Sequence, residues 1–190
     1  MSSIPFESFA EEMDHEFTGT ELKIEKIGYK VDGKGIKTHC SCSTLKSVDY
    51  FHQDENKVSL IEFSDLHAQH TQISYKIEKL NASGMDKADK RLFIKEQYKI
   101  IPQEMRKKYI DSIHILKCMN GRISEIPEWA MAQEKGKYII VVAPISELAP
   151  AEQRAEVIRM LDNLQNKLAL SIPDPLFDGV SVIPLTRFLS

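Results

Sequence analysis

The chain has little with which to staple or anchor itself. It contains three cysteines in 190 residues, an odd number that excludes a fully paired disulfide framework. Cys40 and Cys42 lie too close in sequence for an easy bridge, so a reducing, cytoplasmic setting is expected. No apolar run approaches the roughly 20 residues that a membrane helix needs, and the longest, Tyr138 to Pro144, reads as a strand. The opening Met-Ser-Ser-Ile-Pro-Phe-Glu lacks the basic and apolar regions of a secretory leader, so none is expected. Glycine-rich phosphate loops, a GxSxG elbow and an HExxH pair are absent, which argues against the enzymes built on those devices. There is no internal repeat, no low-complexity tract and no linker long enough to separate two domains. A formal charge of −3 gives no global sign of a polyanion-binding protein, and 42% hydrophobic residues suit an ordinary globular domain.

What is present centres on the stretch from Lys46 to Asp65. Two β-rich runs, Ser47 to His52 and Lys57 to Phe63, flank the polar quartet Asp54-Glu55-Asn56-Lys57, which predicts a hairpin turn. Alternate strand residues share a face, so Val58, Leu60 and Glu62 line one side. Glu62 thus continues an apolar face, between Ile61 and Phe63, in a strand covered on both sides. A carboxylate placed there needs a partner. A divalent metal shared with Asp49 of the preceding run is the most economical one.

These residues resemble the PD-(D/E)XK nuclease superfamily. Its pattern is an Asp on one strand, a hairpin, then (Asp/Glu)-x-Lys at the end of the next strand, followed by a helix. Asp49 fits the first position, with Val48 in place of the proline, and Glu62 fits the second; Ser64 stands where the lysine belongs. The resemblance implies a restriction-endonuclease-like core. It also implies Mg²⁺ or Mn²⁺ held by Asp49, Glu62 and the backbone carbonyl of Phe63. Some members, among them the cap-snatching endonucleases of segmented negative-strand RNA viruses, carry the lysine on the following helix. That makes Lys76 the candidate replacement, with Lys79 and Lys46 as further options. Glu11 or Glu12 would supply an additional carboxylate from an N-terminal helix, with His15 a weaker candidate.

The rest of the chain reads as alternating helices and strands. Phe6, Phe9, Ala10 and Met13 predict an amphipathic helix over residues 4–16. Glu21 to Val31 and Ile36 to Thr44 read as strands around the Asp32-Gly33-Lys34-Gly35 turn. Within the second, His39-Cys40-Ser41-Cys42, with His67 and His70, offers a zinc set, against the plainer reading of strand cysteines buried for packing. Asp65 caps a helix from Leu66 to about Ala82, with Ile73, Ile77 and Leu80 inward and Gly84 as its stop. Gln69 falls on the same edge as Lys76. Asp86 to Cys118 reads as two helices broken at Pro102, with Leu92, Phe93, Ile100, Met105, Tyr109, Ile113 and Leu116 inward. Trp129 reads as packing. Lys137 to Ala143 is a buried strand, Pro150 to Leu170 a helix with Val157, Ile158, Leu161, Leu164 and Leu168 inward, ended by Pro173 and Pro175, and Gly179 to Leu185 a last strand.

From Asp86 to Arg122 there are ten Lys or Arg against five Asp or Glu. Lys87, Lys90, Arg91, Arg106, Lys107 and Lys108 form a stripe able to track a phosphate backbone, or else a solvated helix face. The expected architecture is α/β, three-layer, with a central mixed sheet flanked by helices. A single domain spans residues 1–190: a nuclease-like core over about 5–85 plus 137–143, a helical insertion over about 86–136, and a C-terminal helix and strand over 150–185. The expected activity is divalent-metal-dependent phosphodiester hydrolysis on nucleic acid, with no organic cofactor and no membrane association. The alternative is a degenerate member of the same fold that binds a protein or nucleic acid as an immunity, inhibitor or defence component.

Overall fold

A computed structural model describes residues 3–144, 151, 154–172 and 177–190, without the side chains of His67 and His70. The organising element is β5 (Lys57–Phe63). Val58 to Glu62 are all buried, because the strand is covered on both faces. β4 (Tyr50–Asp54) pairs with it antiparallel from Tyr50↔Ile61 to Asp54↔Lys57. Glu55 takes the left-handed conformation at φ 52°, which the two-residue hairpin turn demands of it.

On the far side of β5, β7 (Lys135–Val142) runs parallel, with Glu62 opposite Ile140, and β8 (Phe177–Pro184) runs parallel to β7. Beyond β4 lie β3 (Ile27–Lys30) and β2 (Ala10–Glu12), both antiparallel to their neighbours. The result is an α/β protein with a six-stranded mixed sheet in the order β2-β3-β4-β5-β7-β8. A short parallel pair, β1 (Ile4–Pro5) with β6 (Ile123–Ser124), lies apart from it.

The helices are α1 (Ile36–His39), α2 (Leu66–Ala82), α3 (Lys87–Gln97), α4 (Ile100–Cys118), α5 (Glu128–Met131), α6 (Arg154–Ser171) and α7 (Leu185–Leu189). Asp65 caps α2 by accepting from the Ala68 N–H at 2.9 Å, as its position predicts. α4 packs Met105, Tyr109, Ile115 and Leu116 into the core. The Tyr109 and Tyr138 rings lie 5.6 Å apart, and the Tyr138 hydroxyl donates to the Met105 carbonyl at 3.2 Å. On the opposite face Phe63 meets Phe17, Tyr50 and Phe188. Among the described residues no helix is long and apolar enough to cross a membrane.

Several local expectations are corrected. Residues 4–16 form β1, a 3₁₀ turn (Phe6–Phe9) and β2, not one helix. Phe6 is held against Tyr29 and Trp129, with centroids at 4.4 and 5.7 Å, and β2 completes the sheet beside β3; both compete with helical continuation. The Glu21–Val31 run is strand only at Ile27–Lys30. Ile36 begins α1 instead of a strand: Ile36 and Cys40, four apart, are both buried, a helical spacing.

The break between α3 and α4 falls at Tyr98 and Lys99, and Pro102 sits in the first turn of α4, where its missing N–H costs nothing. Leu92, Phe93 and Ile100, expected inward, are exposed, as is Ile158 on α6. The start of the Pro150 helix, and Pro173 and Pro175, lie outside the described residues.

Candidate functional site

Asp49 directly precedes β4, whose pairing with β5 ends at Tyr50↔Ile61, and its negative charge is felt at Glu62. The end of the hairpin is irregular in a way that fixes Asp49. Its N–H donates to the Ile61 carbonyl at 3.1 Å, and its Oδ2 accepts from the Phe63 N–H at 2.8 Å. The Asp49 carboxylate thereby satisfies a β5 donor that β4 no longer reaches. A residue's C=O leaves a strand on the same side as its N–H, so the Phe63 carbonyl is turned toward Asp49.

The approach to Asp49 is pinned by α4. The Lys46 N–H donates to Asp111 Oδ2 at 2.9 Å and the Val48 N–H to Ser112 Oγ at 3.0 Å. One turn earlier on the same helical face, Lys108 Nζ donates to Glu62 Oε1 at 2.5 Å. A single face of α4 thus holds the backbone before Asp49 and delivers a cation to Glu62.

Glu62 is 1% exposed, and its second oxygen, Oε2, is buried without a partner among the described residues. Burial, then the negative charge of Asp49, pushes its carboxyl up to about 8, against the pull of Lys108. Asp49 is also raised by burial, opposed by the Phe63 N–H and by Lys108 and Lys30. Burial acts to lower Lys108, but the Glu62 and Asp49 charges outweigh it and keep the ammonium charged. Burial and the Asp49 charge thus raise the Glu62 carboxyl, and the Lys108 ammonium, itself raised, is the cation seated on it. The site joins a buried acid, Glu62, to a half-buried one, Asp49, with the Lys108 ammonium on Glu62 and Lys30 also acting on Asp49.

Asp49, Glu62 and Phe63 are therefore brought together. Lys76 is exposed on α2, and the leading charges are Lys108, Lys30 and Asp32 on Asp49, and Asp49, Lys108 and Asp32 on Glu62. Lys46 Nζ meets Glu104 at 3.2 Å, and Lys79 lies over the Tyr75 ring. Glu11 accepts from the Tyr50 hydroxyl at 2.9 Å and lies 3.8 Å from Lys30. The register puts Glu11, Gly28, Lys30, Tyr50 and Ile61 on the face opposite Glu62. Glu12 is exposed, and His15 Nε2 bonds the Leu22 carbonyl. Gln69 Nε2 lies 3.5 Å from Ser64 Oγ.

Of the basic stripe, Lys87 and Arg91 are exposed, whereas Lys90 donates to the Asn81 carbonyl, Arg106 to the Ser171 carbonyl, and Lys107 pairs with Asp111 at 2.9 Å. Cys40 and Cys42 are buried thiols, Cys40 pushed up to about 11 by burial, and the Cys42 thiol donates to the Cys40 carbonyl at 3.4 Å. The His67 and His70 side chains lie outside the described residues. Among the described residues no group of three or more His, Cys, Asp or Glu side chains is placed to hold a metal. The Asp49 and Glu62 pair with a backbone carbonyl stands below that count.

Sequence reasoning missed the place of Lys108, assigning it to the basic stripe. The signal was available: Met105, Lys108, Tyr109, Ser112 and Leu116 recur at helical spacing, so the lysine interrupts a buried stripe. The Asp111 and Ser112 contacts left no such mark. No family model, no curated protein and no solved structure matches the chain.

Proposed function

We propose that the chain is a divalent-metal-dependent phosphodiesterase acting on nucleic acid, with a restriction-endonuclease-like core around β4, β5 and α2. The observation that carries this reading is the buried Glu62 beside the half-buried Asp49, with the Lys108 ammonium on Glu62 and, among the described residues, one Glu62 oxygen unpartnered. Such a pair is short of positive charge. The donor set fits a hard cation: two carboxylates and the Phe63 carbonyl, all oxygen. Mg²⁺ or Mn²⁺ bound there supplies Lewis acidity toward a phosphoryl oxygen.

The protein's own residues do the rest. The Phe63 N–H orients Asp49 and opposes the rise that burial imposes on its carboxyl. Asp49 and Glu62 would hold the ion, and the Lys108 ammonium beside them would donate to oxygens of the scissile phosphate and offset the charge that develops there. Lys108 takes the part that Ser64 cannot, reaching the site from α4 and not from β5.

Calorimetric titration with Mn²⁺ at pH 7 is expected to show saturable heat with proton release, read from its dependence on buffer ionisation enthalpy. The heat is lost in Asp49→Ala and Glu62→Gln, and single-turnover cleavage falls at least a thousandfold in both and in Lys108→Met. Undiminished cleavage in Glu62→Gln rejects the assignment. A second reading is a binding module of the same fold without chemistry. Ser64 at the lysine position and an ammonium already seated on Glu62 favour it, and it predicts no heat at millimolar Mn²⁺.

A further inference from the structure

We infer that the groove between α2, the start of α4 and α6 binds a single-stranded nucleic-acid segment, seating one base on its apolar floor and flanking phosphates on its rim. The inference rests on the phosphodiesterase reading for the chemistry of its ligand, but its evidence lies elsewhere in the molecule.

The groove encloses a cavity of about 320 Å³, within the size range of small-ligand sites. Its floor is apolar: Leu66 and Ile73 from α2, Ile101 from α4, and Met160 from α6. Tyr98 stands at the mouth and is 52% exposed. An exposed aromatic ring beside a polarisable thioether is a surface on which a planar base stacks.

The rim supplies the matching charge. Arg159 and Lys167 both line the groove from α6, both are exposed, and neither is ion-paired among the described residues. Eight residues of helix separate them, about 12 Å at 1.5 Å per residue. The spacing suits contact with more than one phosphate of an extended strand. Glu156 is the acid at the same rim, so the groove presents a net positive edge over an apolar floor. A free fatty chain has no use for two separated cations, and a neutral peptide helix none for either.

Two details tie the groove to the acid pair. Leu66 lies four residues beyond Glu62, across the turn from β5 into α2. Pro102, also in the lining, precedes Lys108 by six residues on α4, about 9 Å along the helix. Gln69 shares a helical face with Leu66 and Ile73. Its Nε2 reaches toward Ser64, while Oε1 is buried without a partner among the described residues. The groove is thus placed to hold the nucleotides beside a phosphate held at Asp49 and Glu62.

The test is fluorescence anisotropy with a fluorescein-labelled single-stranded oligothymidylate of twelve residues, in EDTA, so that binding is read without metal or cleavage. The full chain is expected to bind at 50 mM salt. The double variant Arg159→Gln/Lys167→Gln should weaken binding at least tenfold and flatten the log–log salt slope by about one. Tyr98→Ala should weaken it about tenfold. All three positions are exposed, and thermal denaturation by circular dichroism checks that each variant folds.

Any of four results overturns the inference: no binding by the full chain, undiminished affinity in both variants, equal affinity for thymidine monophosphate, or an equal loss in a Lys87→Gln/Arg91→Gln control on α3. None of these touches the Mn²⁺ titration, which needs no oligonucleotide, so failure of the groove and failure of the acid site are separable.

Discussion

α3 and α4 follow one another in the chain, carry four Lys or Arg each in eleven and nineteen residues, and meet opposite fates. α3 buries none of its residues, and Leu92 and Phe93 stand 62% and 50% exposed. α4 buries Met105, Tyr109, Ile115 and Leu116, and within that stripe lies Lys108, its ammonium on a buried acid. The number of cations does not distinguish the two helices; what each faces does. An ammonium enters a core only where acids already wait for it, since removing it from water costs several kcal/mol otherwise. α4 lies over Asp49 and Glu62. α3 is offered no such surface, so its apolar side chains remain outside together with its cations.

The largest effect that sharpens this contrast comes from removing the buried cation. Lys108→Met is expected to destabilise the protein by about 3 kcal/mol at pH 8, because it strands the buried Glu62 beside Asp49. The loss should shrink to about 1 kcal/mol at pH 5, where protonation relieves them. Urea denaturation at the two pH values measures both. A loss independent of pH would make Lys108 a packing residue only.

Next comes the acid itself. Glu62 is raised in the folded protein to about 8 from an ordinary carboxylate value, so the folded state holds a proton that the unfolded chain releases. Its contribution to stability is complete below the unfolded value and is lost as pH rises to about 8. Asp49, raised as well, acts in the same direction. Wild-type stability should therefore fall by about 2–4 kcal/mol between pH 5 and pH 8. Glu62→Gln should flatten most of that slope. A stability that rises over this interval would contradict the assignment of the raised group.

The smallest effect belongs to the outer helix. Leu92→Ser and Phe93→Ser, each removing a large apolar side chain, should change stability by no more than about 0.5 kcal/mol, as at an ordinary surface position. A cost of about 2 kcal/mol in either would mean that α3 is packed after all and would erase the contrast with α4.

Much of the frame was legible because it is written in short-range signals. The 54–57 quartet set the hairpin turn, Asp65 set the start of α2, and the Tyr138 to Val142 run marked a strand covered on both faces. The position of Glu62 in an apolar alternation marked it as the buried acid. The N-terminal segment misled because Phe6, Phe9 and Met13 have spacings that suit a helix, while distant partners, β3 and Trp129, decided the conformation. Leu92 and Phe93 misled for the converse reason. A local pattern can announce an inward face, but only a neighbour can cover it.

The sequence by itself determined that a hairpin would carry two acids into an apolar environment, since alternation along a strand is a property of the strand alone. Which cation would meet them was decided by the tertiary structure. Forty-six residues separate Glu62 from Lys108, and no local rule links them. The pairing exists because α4 packs across β5 and β7, through Met105, Tyr109 and Tyr138, and so brings the next turn of its buried face over the acids. Burial then makes the ion pair selective, because in a medium that screens charge poorly only a cation seated within hydrogen-bonding reach offsets a carboxylate taken from water.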